Sequence, residues 1–429
     1  MIAYDLRDLP ADDPSPRNRR RRVVVTGIGA VTPIGSGRLG LWQGVQRGVS
    51  AVSTITRFDA SPFNCTVAAE VGDFEPRDHL PAKLVHRLDR YAQFSVAAAQ
   101  MAVQDSRLDL AGQEDGRMGV YLGSALGGVA GAEAEHVNFL QGGLRAVNPL
   151  LALSVFGASA STNVAMYLGL TGPCHCNANG CAAGAIAIGD AFLAIRGGLI
   201  DAALAGGAEA PLMPLTFGAF AAIRAMSQRN DDPATASRPF DRDRDGFVMG
   251  EGTAMLVLEE REAALRRGAA PLVEVLGFSQ TCDAYRMTAP LPDGSQAARA
   301  MRQALGDAGL TPHDIDYVKA HGSATPLNDS TETLAIRRAL GERAEQIPVS
   351  GTKGLHAHAL GASGAIEAAI VSMALHTGRL PATANLQHLD PACDLDFIQG
   401  CMREQPVRHA LCNSFGFGGI NAALILGRP

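Results

Sequence analysis

Four short segments contain the side chains that could carry out chemistry together. Cys181 ends a polar, glycine-containing segment, and His321 follows an apolar, strand-like run. Lys353 lies five residues before His358, and residues 413–419 read Asn-Ser-Phe-Gly-Phe-Gly-Gly. Each feature alone is weak evidence, because buried cysteines and structural histidines are common and glycine loops often only turn the chain. Together they supply a thiol nucleophile, two imidazoles, a cation and a glycine-rich loop, which indicates nucleophilic catalysis.

Cys181 is followed by Ala-Ala-Gly-Ala-Ile-Ala-Ile-Gly-Asp-Ala-Phe-Leu-Ala-Ile, a composition that favours a helix. The thiol is therefore predicted at a strand-to-helix turn, with its sulfur near the helix N-terminus. There the macrodipole and the free amides stabilise a thiolate and can also bind an oxyanion. The alternative for this cysteine is a small buried hydrophobic residue.

His321 and His358 each lie in a glycine-bounded turn that precedes a predicted helix, and the helix after His358 carries Glu367. A histidine at the C-terminal end of a strand in an α/β protein lies where such folds place their chemistry. Taken singly, either histidine is more often structural. His356 is only two residues from His358, and the pattern does not decide which of the two points inward.

Short apolar runs alternate along the chain with alanine-rich stretches of helical length. Strands are predicted at residues 23–29, 118–124, 201–207, 253–258, 272–277, 315–320 and 422–427, and helices at 91–105, 182–196, 297–308, 330–340 and 365–376. This alternation predicts an α/β fold with buried sheets. The wholly apolar stretch Gly184–Ala194 predicts a central helical layer that is covered on both sides.

Two other motifs fail on spacing. The run Val-Val-Val-Thr-Gly-Ile-Gly suggests a dinucleotide-binding turn, but Thr32 takes the place of the third glycine and Pro33 follows where a helix should open. The sequence Cys-His-Cys at 174–176 suggests a metal cluster, but no second Cys-x-x-Cys or closely spaced histidine pair completes a zinc site. Eight scattered cysteines without paired spacings predict reduced thiols and no metal site.

The composition is that of an ordinary globular protein, with 47% hydrophobic and 19% charged residues in 429. The net charge of −6 argues against a nucleic-acid-binding protein, and the basic run at 17–22 is interpreted as part of a solvated tail. The first 20 residues lack the apolar core of a secretory signal, and no run of about 18 apolar residues is expected elsewhere. These features predict a soluble cytoplasmic protein without a membrane segment.

The span from about Arg21 to Gly427 resembles the elongating β-ketoacyl-acyl carrier protein (ACP) synthases, the condensing enzymes of the thiolase superfamily. The resemblance lies in segments spread along the chain: Val-Val-Val-Thr-Gly-Ile-Gly, Arg-Met-Gly-Val-Tyr-Leu-Gly-Ser, Ala-Gly-Gly-Ala-Glu209, Ser237-Arg-Pro-Phe-Asp241, Asp245-Gly-Phe, Gly250-Glu-Gly, Thr325-Pro-Leu-Asn-Asp and Asn413-Ser-Phe-Gly-Phe-Gly-Gly-Ile-Asn. It implies a five-layer αβαβα sandwich of two similar, pseudo-duplicated halves. Residues 21–271 would carry the cysteine and residues 272–429 the histidines, after a flexible extension at 1–20.

The resemblance also implies roles for the reactive residues. Cys181 would accept an acyl group from ACP, and His321 with His358 would act on malonyl-ACP as it loses carbon dioxide. Lys353 would pair with Glu367 in support of the histidines. The backbone amides of Cys181 and Phe417 would form an oxyanion hole, with Phe417 also serving as a gate. No metal or organic cofactor would be bound, since ACP supplies the phosphopantetheine arm.

Further positions follow from the same resemblance. Ser323 and Thr325 would hydrogen-bond the phosphopantetheine, and Leu126 and Phe220 would line the acyl pocket. A basic surface is expected to dock the acidic ACP, and the candidates for it are Lys83, Arg87, Arg145 and Arg224. The chain would form a dimer, either with itself or with a related subunit.

Several residues depart from the common pattern of this family: Asn177-Ala-Asn-Gly, Ala324, Leu355-His-Ala and Ile420. These departures leave two interpretations equally open, a specialised polyketide or polyene synthase and an enzyme of fatty acid elongation. One rival is a non-catalytic subunit resembling chain-length factors, which Cys181 disfavours. Another is a thiolase or initiating synthase that uses coenzyme A esters, which the pair of histidines disfavours.

Overall fold

The structure, a computed structural model, describes residues 21–111 and 116–429. The extension predicted for residues 1–20 lies outside the described residues. The main strands of the first half are β1 (Val23–Thr32), β2 (Met118–Gly123), β3 (Cys174–Asn177), β4 (Ala202–Glu209) and β5 (Gly252–Glu260). Its main helices are α1 (Gly37–Arg47), α2 (Arg90–Ser106), α3 (Val129–Gly142), α4 (Ser159–Leu168), α5 (Ala183–Arg196) and α6 (Pro214–Ala222).

The second half continues in the same manner. Its main strands are β6 (Val273–Cys282), β7 (Tyr317–Lys319), β8 (Val349–Ser350), β9 (His409–Gly416) and β10 (Ile420–Gly427). Its helices are α7 (Ser295–Ala308), α8 (Pro326–Leu340), α9 (Lys353–His356) and α10 (Ser363–Thr377). Shorter elements include helices at Ala82–Val85, Leu151–Ser154 and Arg261–Arg266, and strands at Gly35–Ser36, Ser53–Thr54, Val67–Ala69, Met249–Gly250, Arg379–Leu380 and Arg403–Glu404.

The described part of the chain forms an eleven-stranded sheet in which the second half repeats the topology of the first. Along the sheet the strands follow the order β8-β7-β9-β10-β6-β1-β5-β4-β2-β3, with Gly35–Ser36 paired to the side of β1. In each half a central strand, β2 or β7, is parallel to both of its neighbours, and the remaining pairings are antiparallel. The halves join where β1 pairs with β6.

Helices α5 and α10 occupy equivalent positions in the two halves and pack against each other, and each contacts strands from both halves of the sheet. Every residue of α10 from Ser363 to Leu375 is buried, as its apolar sequence requires. Gly364 allows the close approach of the two helices, since a Cβ there would lie 2.7 Å from the Ala185 nitrogen. Helices α2 and α4 cover one outer face, and α7 and α8 cover the other. The predicted five-layer αβαβα fold of two similar halves is confirmed.

Two local predictions are wrong. The glycines after Val25 do not end the first strand, because β1 continues to Thr32. Glycine is required there by helix packing, since a Cβ at Gly29 would lie 1.9 Å from the Ala98 carbonyl oxygen of α2. Residues 413–416, expected in a glycine-rich loop, belong to β9, and only the hairpin that begins at Phe417 leaves the sheet.

One described segment, Leu360–Thr377, is long and apolar enough to cross a membrane by length and composition, with a mean hydropathy of 1.2. Because it contains Glu367 and His376, it is not a continuous apolar run, and the expectation that no such run exists is not contradicted. The segment contains α10, and 89% of it is buried inside the protein. Its apolar composition matches its place in the central layer.

Candidate active site

A cavity of about 640 Å³ opens between the two halves. Nine of the predicted site residues line it: Leu126, Cys181, Phe220, Arg224, His321, Ser323, Thr325, His358 and Phe417. Lys353 and Glu367 are fully buried and lie behind the wall of the cavity. The fold therefore brings the reactive residues of both halves to one place.

Cys181 lies in a single 3-10 turn, Gly180–Ala182, that leads directly into α5. The side chain of Asn177 stabilises this turn by donating to the Ala183 carbonyl at 3.0 Å and accepting from the Asn179 amide at 3.3 Å. Asn177 is one of the residues that depart from the family pattern. Its side-chain hydrogen bonds take the place of backbone hydrogen bonds in the turn. The thiol thus lies at the N-terminus of a helix, as predicted.

The electrostatics at Cys181 differ from the expectation of a stabilised thiolate. Burial raises the pKa of the Cys181 thiol to about 11, although the Lys353 cation and the amides of Phe417 and Cys181 act in the opposite direction. Desolvation outweighs these effects because Cys181 packs against a cluster of apolar side chains in the cavity wall. The resting cysteine is a neutral thiol.

The backbone amides of Phe417 and Cys181 both act on the Cys181 sulfur. Gly416 ends β9 beside the turn, and a Cβ there would lie 3.1 Å from the Cys181 nitrogen. Phe417 is 36% exposed at the tip of the following hairpin. The two backbone N–H groups can therefore bind an oxyanion that forms on an acyl group attached to Cys181.

His321 lies two residues after the end of β7 and is 3% exposed. Its backbone is fixed by Glu332 of α8, which accepts the His321 amide at 2.7 Å and the Gly322 amide at 2.9 Å. Lys353 Nζ lies 3.3 Å from His321 Nδ1 and donates to the His321 carbonyl oxygen at 2.5 Å. Because an ammonium group only donates, Nδ1 accepts and the ring hydrogen is on Nε2.

His358 is held in the same tautomer by a different set of contacts. Its Nδ1 accepts the Leu360 amide hydrogen at 3.2 Å and lies 2.9 Å from Ser363 Oγ, so Nε2 again carries the hydrogen. The two imidazole rings are 5.3 Å apart between centroids and meet at 76°. They present two N–H donors to the same cavity.

Both histidines are neutral. Burial lowers the pKa of His321 well below its ordinary value, and the Lys353 cation, His358 and Lys319 lower it further. Burial and then Lys353 have the same effect on the pKa of His358. Neutral imidazoles with hydrogen on Nε2 are suited to hydrogen-bond a developing oxyanion.

The neighbouring His356 has a different environment. It is fully buried, its Nε2 lies 3.0 Å from Thr352 Oγ1, and burial lowers its pKa to about 3. Between the two histidines Ala357 has a φ of +57°, which directs His358 to the cavity wall and His356 to the interior. Leu360 also has a positive φ, +40°, and such backbone strain of about 1–3 kcal/mol per residue is typical of functional sites.

Lys353 donates to Glu367 Oε1 at 2.8 Å, as the predicted pairing requires. A second lysine, Lys319, donates to the same oxygen at 2.8 Å and is equally buried. Sequence reasoning missed Lys319, although a lysine within an apolar strand two residues before His321 is a usable signal.

Two buried carboxylates that sequence reasoning did not assign also organise the site. Glu332 supports His321, as described above, and accepts from Asn413 Nδ2 at 3.1 Å. Glu209 accepts the amides of Ala125, Leu126 and Gly361 at 2.7, 3.1 and 3.0 Å, which ties the loop after β2 to the turn after His358. Burial raises the pKa of each carboxyl to about 7.

The residues predicted to bind phosphopantetheine and the acyl chain lie on the cavity wall. Ser323 Oγ is 3.0 Å from Thr325 Oγ1, and Thr325 also caps α8 by accepting the Asn328 amide at 3.3 Å. Phe220 stacks edge-on against Phe247 at 5.8 Å between centroids. The cavity therefore has a polar wall near His321 and an apolar wall near Phe220.

The four predicted docking residues do not lie together. Arg224 is exposed at the cavity, where Arg286, which sequence reasoning missed, also lies. Lys83, Arg87 and Arg145 are exposed but do not line this cavity. Within residues 21–111 and 116–429, no group of three or more His, Cys, Asp and Glu side chains is placed to hold a metal ion.

The comparisons with known proteins agree with this geometry. Residues 20–264 match the model of the β-ketoacyl synthase N-terminal domain, and residues 272–387 match that of the β-ketoacyl synthase C-terminal domain. The 3-oxoacyl-[acyl-carrier-protein] synthase 2 of Synechocystis sp. is 47% identical over 405 residues, which cover 94% of this chain and 97% of that protein.

Solved structures with the same fold include a ketosynthase in complex with its type II PKS acyl-carrier protein and bound to the hexaketide. It has a TM-score of 0.89 and 35% identity, and the match covers 96% of this chain and all of that one. The ishigamide ketosynthase/chain length factor also has a TM-score of 0.89, with 36% identity over 96% of this chain and all of that one. The arrangement of one cysteine and two histidines thus lies in a chain that belongs to the β-ketoacyl synthase family.

Proposed function

We propose that this protein is a β-ketoacyl-ACP synthase that joins an acyl group on Cys181 to a two-carbon unit from malonyl-ACP. The observation that carries the proposal is the pair of neutral imidazoles, both with hydrogen on Nε2, in the cavity that also contains a thiol at a helix N-terminus. The family membership supports the same reaction class, acyl transfer with carbon–carbon bond formation.

In the first half-reaction Cys181 Sγ attacks the thioester carbonyl of acyl-ACP. The negative charge that forms on the carbonyl oxygen is held by the amides of Cys181 and Phe417. The carrier sulfur then leaves, the acyl group stays on Cys181, and the cysteine proton ends on the released carrier thiol. Since the resting thiol has a raised pKa, its proton is lost as the new bond forms.

In the second half-reaction malonyl-ACP loses carbon dioxide. The electron pair of the broken bond moves into the thioester as an enolate, and the Nε2–H groups of His321 and His358 donate to the enolate oxygen. Lys353 keeps Nδ1 of His321 in the accepting state, and Glu367 anchors Lys353. The enolate carbon attacks the acyl-Cys181 carbonyl, and collapse of the adduct releases 3-oxoacyl-ACP and the cysteine thiolate, which takes up a proton from water.

Two variants test these assignments separately. Cys181→Ala is expected to abolish acylation and condensation, and His321→Ala to remove decarboxylation while Cys181 still accepts an acyl group. Intact-mass detection of acyl transfer from acyl-ACP, followed by product analysis after adding malonyl-ACP, reports both steps. Normal condensation by either variant would overturn the role given to that residue.

The partner is an ACP, whose phosphopantetheine arm passes Ser323 and Thr325 to reach Cys181. No metal or organic cofactor takes part in the proposed steps. Arg224 is the docking candidate best placed for the carrier, because it is exposed at the cavity mouth. Lys83, Arg87 and Arg145 are assigned to the outer part of the docking surface, and Leu126 with Phe220 to the acyl pocket.

A dimer is supported by a broad apolar surface on α3, α4 and the segment between them. Its exposed side chains are Val137, Phe139, Leu140, Leu144, Leu153, Phe156 and Met166. A patch of this kind on a soluble protein marks an interaction site. Native mass spectrometry of the purified chain distinguishes a homodimer from a subunit that needs a related partner, because only the former assembles alone.

The halves divide the chemistry, with residues 21–271 carrying the nucleophile and residues 272–429 the histidine pair. We assign the protein to the cytoplasm, where ACP-dependent synthesis takes place.

The related synthase 2 favours fatty acid elongation and the related ketosynthases favour polyketide or polyene synthesis, so the acyl chain lengths accepted by Cys181 decide between the pathways. The non-catalytic alternative predicts no acylation of Cys181 at all, and the coenzyme A alternative predicts acylation from acyl-coenzyme A in preference to acyl-ACP.

A further inference from the structure

Lys319 is a buried cation that no step of the proposed reaction uses. It ends β7 and its side chain is 0% exposed. Its Nζ donates to the Ala320 carbonyl at 2.7 Å and to Glu367 Oε1 at 2.8 Å. Lys353 Nζ donates to that same oxygen at 2.8 Å, so the two ammonium groups lie no more than twice this distance apart.

Two cations share one oxygen of Glu367, and the other acid that acts on Lys353 is Glu332, whose pKa burial raises to about 7, so the positive charge inside the protein is only partly compensated. Burial of an uncompensated charge is unfavourable, and replacing such groups with apolar side chains is often neutral or stabilising. An arrangement with this cost is therefore a candidate for function. The excess charge lies directly behind His321, whose carbonyl and Nδ1 contact Lys353.

The use of lysine, not arginine, at position 319 also indicates a functional role. Lysine accounts for only three of the 37 lysine and arginine residues of the chain, and these are Lys83, Lys319 and Lys353. A protein that uses arginine almost everywhere else thus has lysine at both positions that face Glu367. Lysine supplies a compact point charge, whereas the planar guanidinium fork would need several acceptors in one plane.

We propose that Lys319 is a positioning residue, whose charge keeps Glu367 ionised and in place so that Lys353 continues to donate to His321 Nδ1. Through this contact it acts more strongly on decarboxylation, which uses His321 directly, than on acylation of Cys181. The proposal rests on the roles given to His321 and Lys353 in the proposed function.

The charges around Glu367 support this assignment. Desolvation alone would raise the pKa of Glu367, but the cations of Lys319 and then of Lys353 hold it below its ordinary value. The titratable groups that face this carboxylate are Tyr317 and Lys319 on β7, Lys353 and His356 on α9, and Cys412 on β9. Lys319 also lowers the pKa of His321, whereas it is not among the main influences on the pKa of Cys181.

The test compares the two half-reactions in wild-type protein, Lys319→Met and Lys319→Gln. Glutamine keeps a donor but removes the charge, so both variants are expected to lose malonyl-ACP decarboxylation by about 10- to 100-fold, the scale of an outer-shell partner. The rate of Cys181 acylation is expected to fall much less than the rate of decarboxylation, since Lys319 is not among the main influences on the pKa of Cys181. The acid limb of the decarboxylation profile should move to higher pH, because His321 loses a cation that opposes its protonation.

Arg266→Met is the matched control, because it removes a positive charge whose side chain is 73% exposed and far from any assigned role. It should leave both half-reactions unchanged. If wild-type protein performs neither half-reaction, the proposed function fails. If wild-type performs both and a folded Lys319 variant equals it, or loses both equally, only the inference about Lys319 fails.

A second measurement does not depend on the folding of a variant. Protein made with lysine labelled at Cε and Nζ gives NMR signals from only three side chains. The proposal requires that the signal of Lys319 be that of an ammonium group at pH 7. A neutral Lys319 amine at that pH would overturn the proposal, because an uncharged group cannot hold Glu367 ionised.

Discussion

The raised pKa of Cys181 predicts how fast this thiol reacts with a small electrophile as the pH is changed. Iodoacetamide reacts with the thiolate, and a group with a pKa of about 11 is only roughly 0.1% ionised at pH 8. Because the ionised fraction rises tenfold per pH unit below the pKa, the rate of alkylation should rise roughly 100-fold from pH 7 to pH 9. No plateau is expected in this range.

The rate is measured by quenching aliquots and quantifying the alkylated Cys181 peptide by mass spectrometry. The exposed thiol of Cys401 serves as an internal reference in the same digest. Lys353→Met should react more slowly than wild-type at each pH, because it removes the cation that lowers the pKa of Cys181. A Cys181 rate that levels off below pH 8 would refute the reasoning, since it would mean that the amides and the helix N-terminus outweigh desolvation.

Three further predictions concern the architecture of the site. Glu332→Gln should lower the free energy of unfolding by about 1–3 kcal/mol in urea denaturation, because glutamine can accept only one of the amides of His321 and Gly322; an unchanged midpoint would contradict this. Gly364→Ala should destabilise the protein by about 1–3 kcal/mol, because the added methyl group overlaps α5. The control Gly306→Ala, whose Cβ would meet nothing within 4 Å, should be neutral or stabilising. Equal effects of the two substitutions would argue against the close contact between α5 and α10. Leu126→Ala should extend the acyl chains found on Cys181 by mass spectrometry, and an unchanged length distribution would place the limit elsewhere.

The parts of this site that could be predicted are those with a local signal. Cys181 stands where a polar turn meets a helix-forming run, and His321 stands at the end of an apolar strand, so neighbouring residues reveal their positions. Residues 413–416 of β9 are predicted as part of a loop because the glycines at 416, 418 and 419 suggest a turn, whereas pairing of β9 with β10 and β7 overrides that preference.

The remaining features depend on contacts between distant segments. Glu332 faces inward from the middle of α8, and nothing near it in sequence shows that it accepts the His321 amide. The choice between His356 and His358 depends on the positive φ of Ala357, which composition does not reveal. The raised pKa of Cys181 likewise results from apolar walls supplied by both halves, whereas the helix N-terminus that suggested a thiolate is local.

The shared central layer also has a consequence for the chain during its synthesis. Helix α5 ends at Arg196, and its partner α10 is complete only at Thr377, about 180 residues later. At a ribosomal rate of roughly 5–20 residues per second, this delay is about 10–40 s. Throughout that interval the apolar face of α5 has no covering helix from its own chain. Transiently exposed apolar surface favours aggregation, so substitutions on that face can reduce the yield of protein even when the completed fold accepts them.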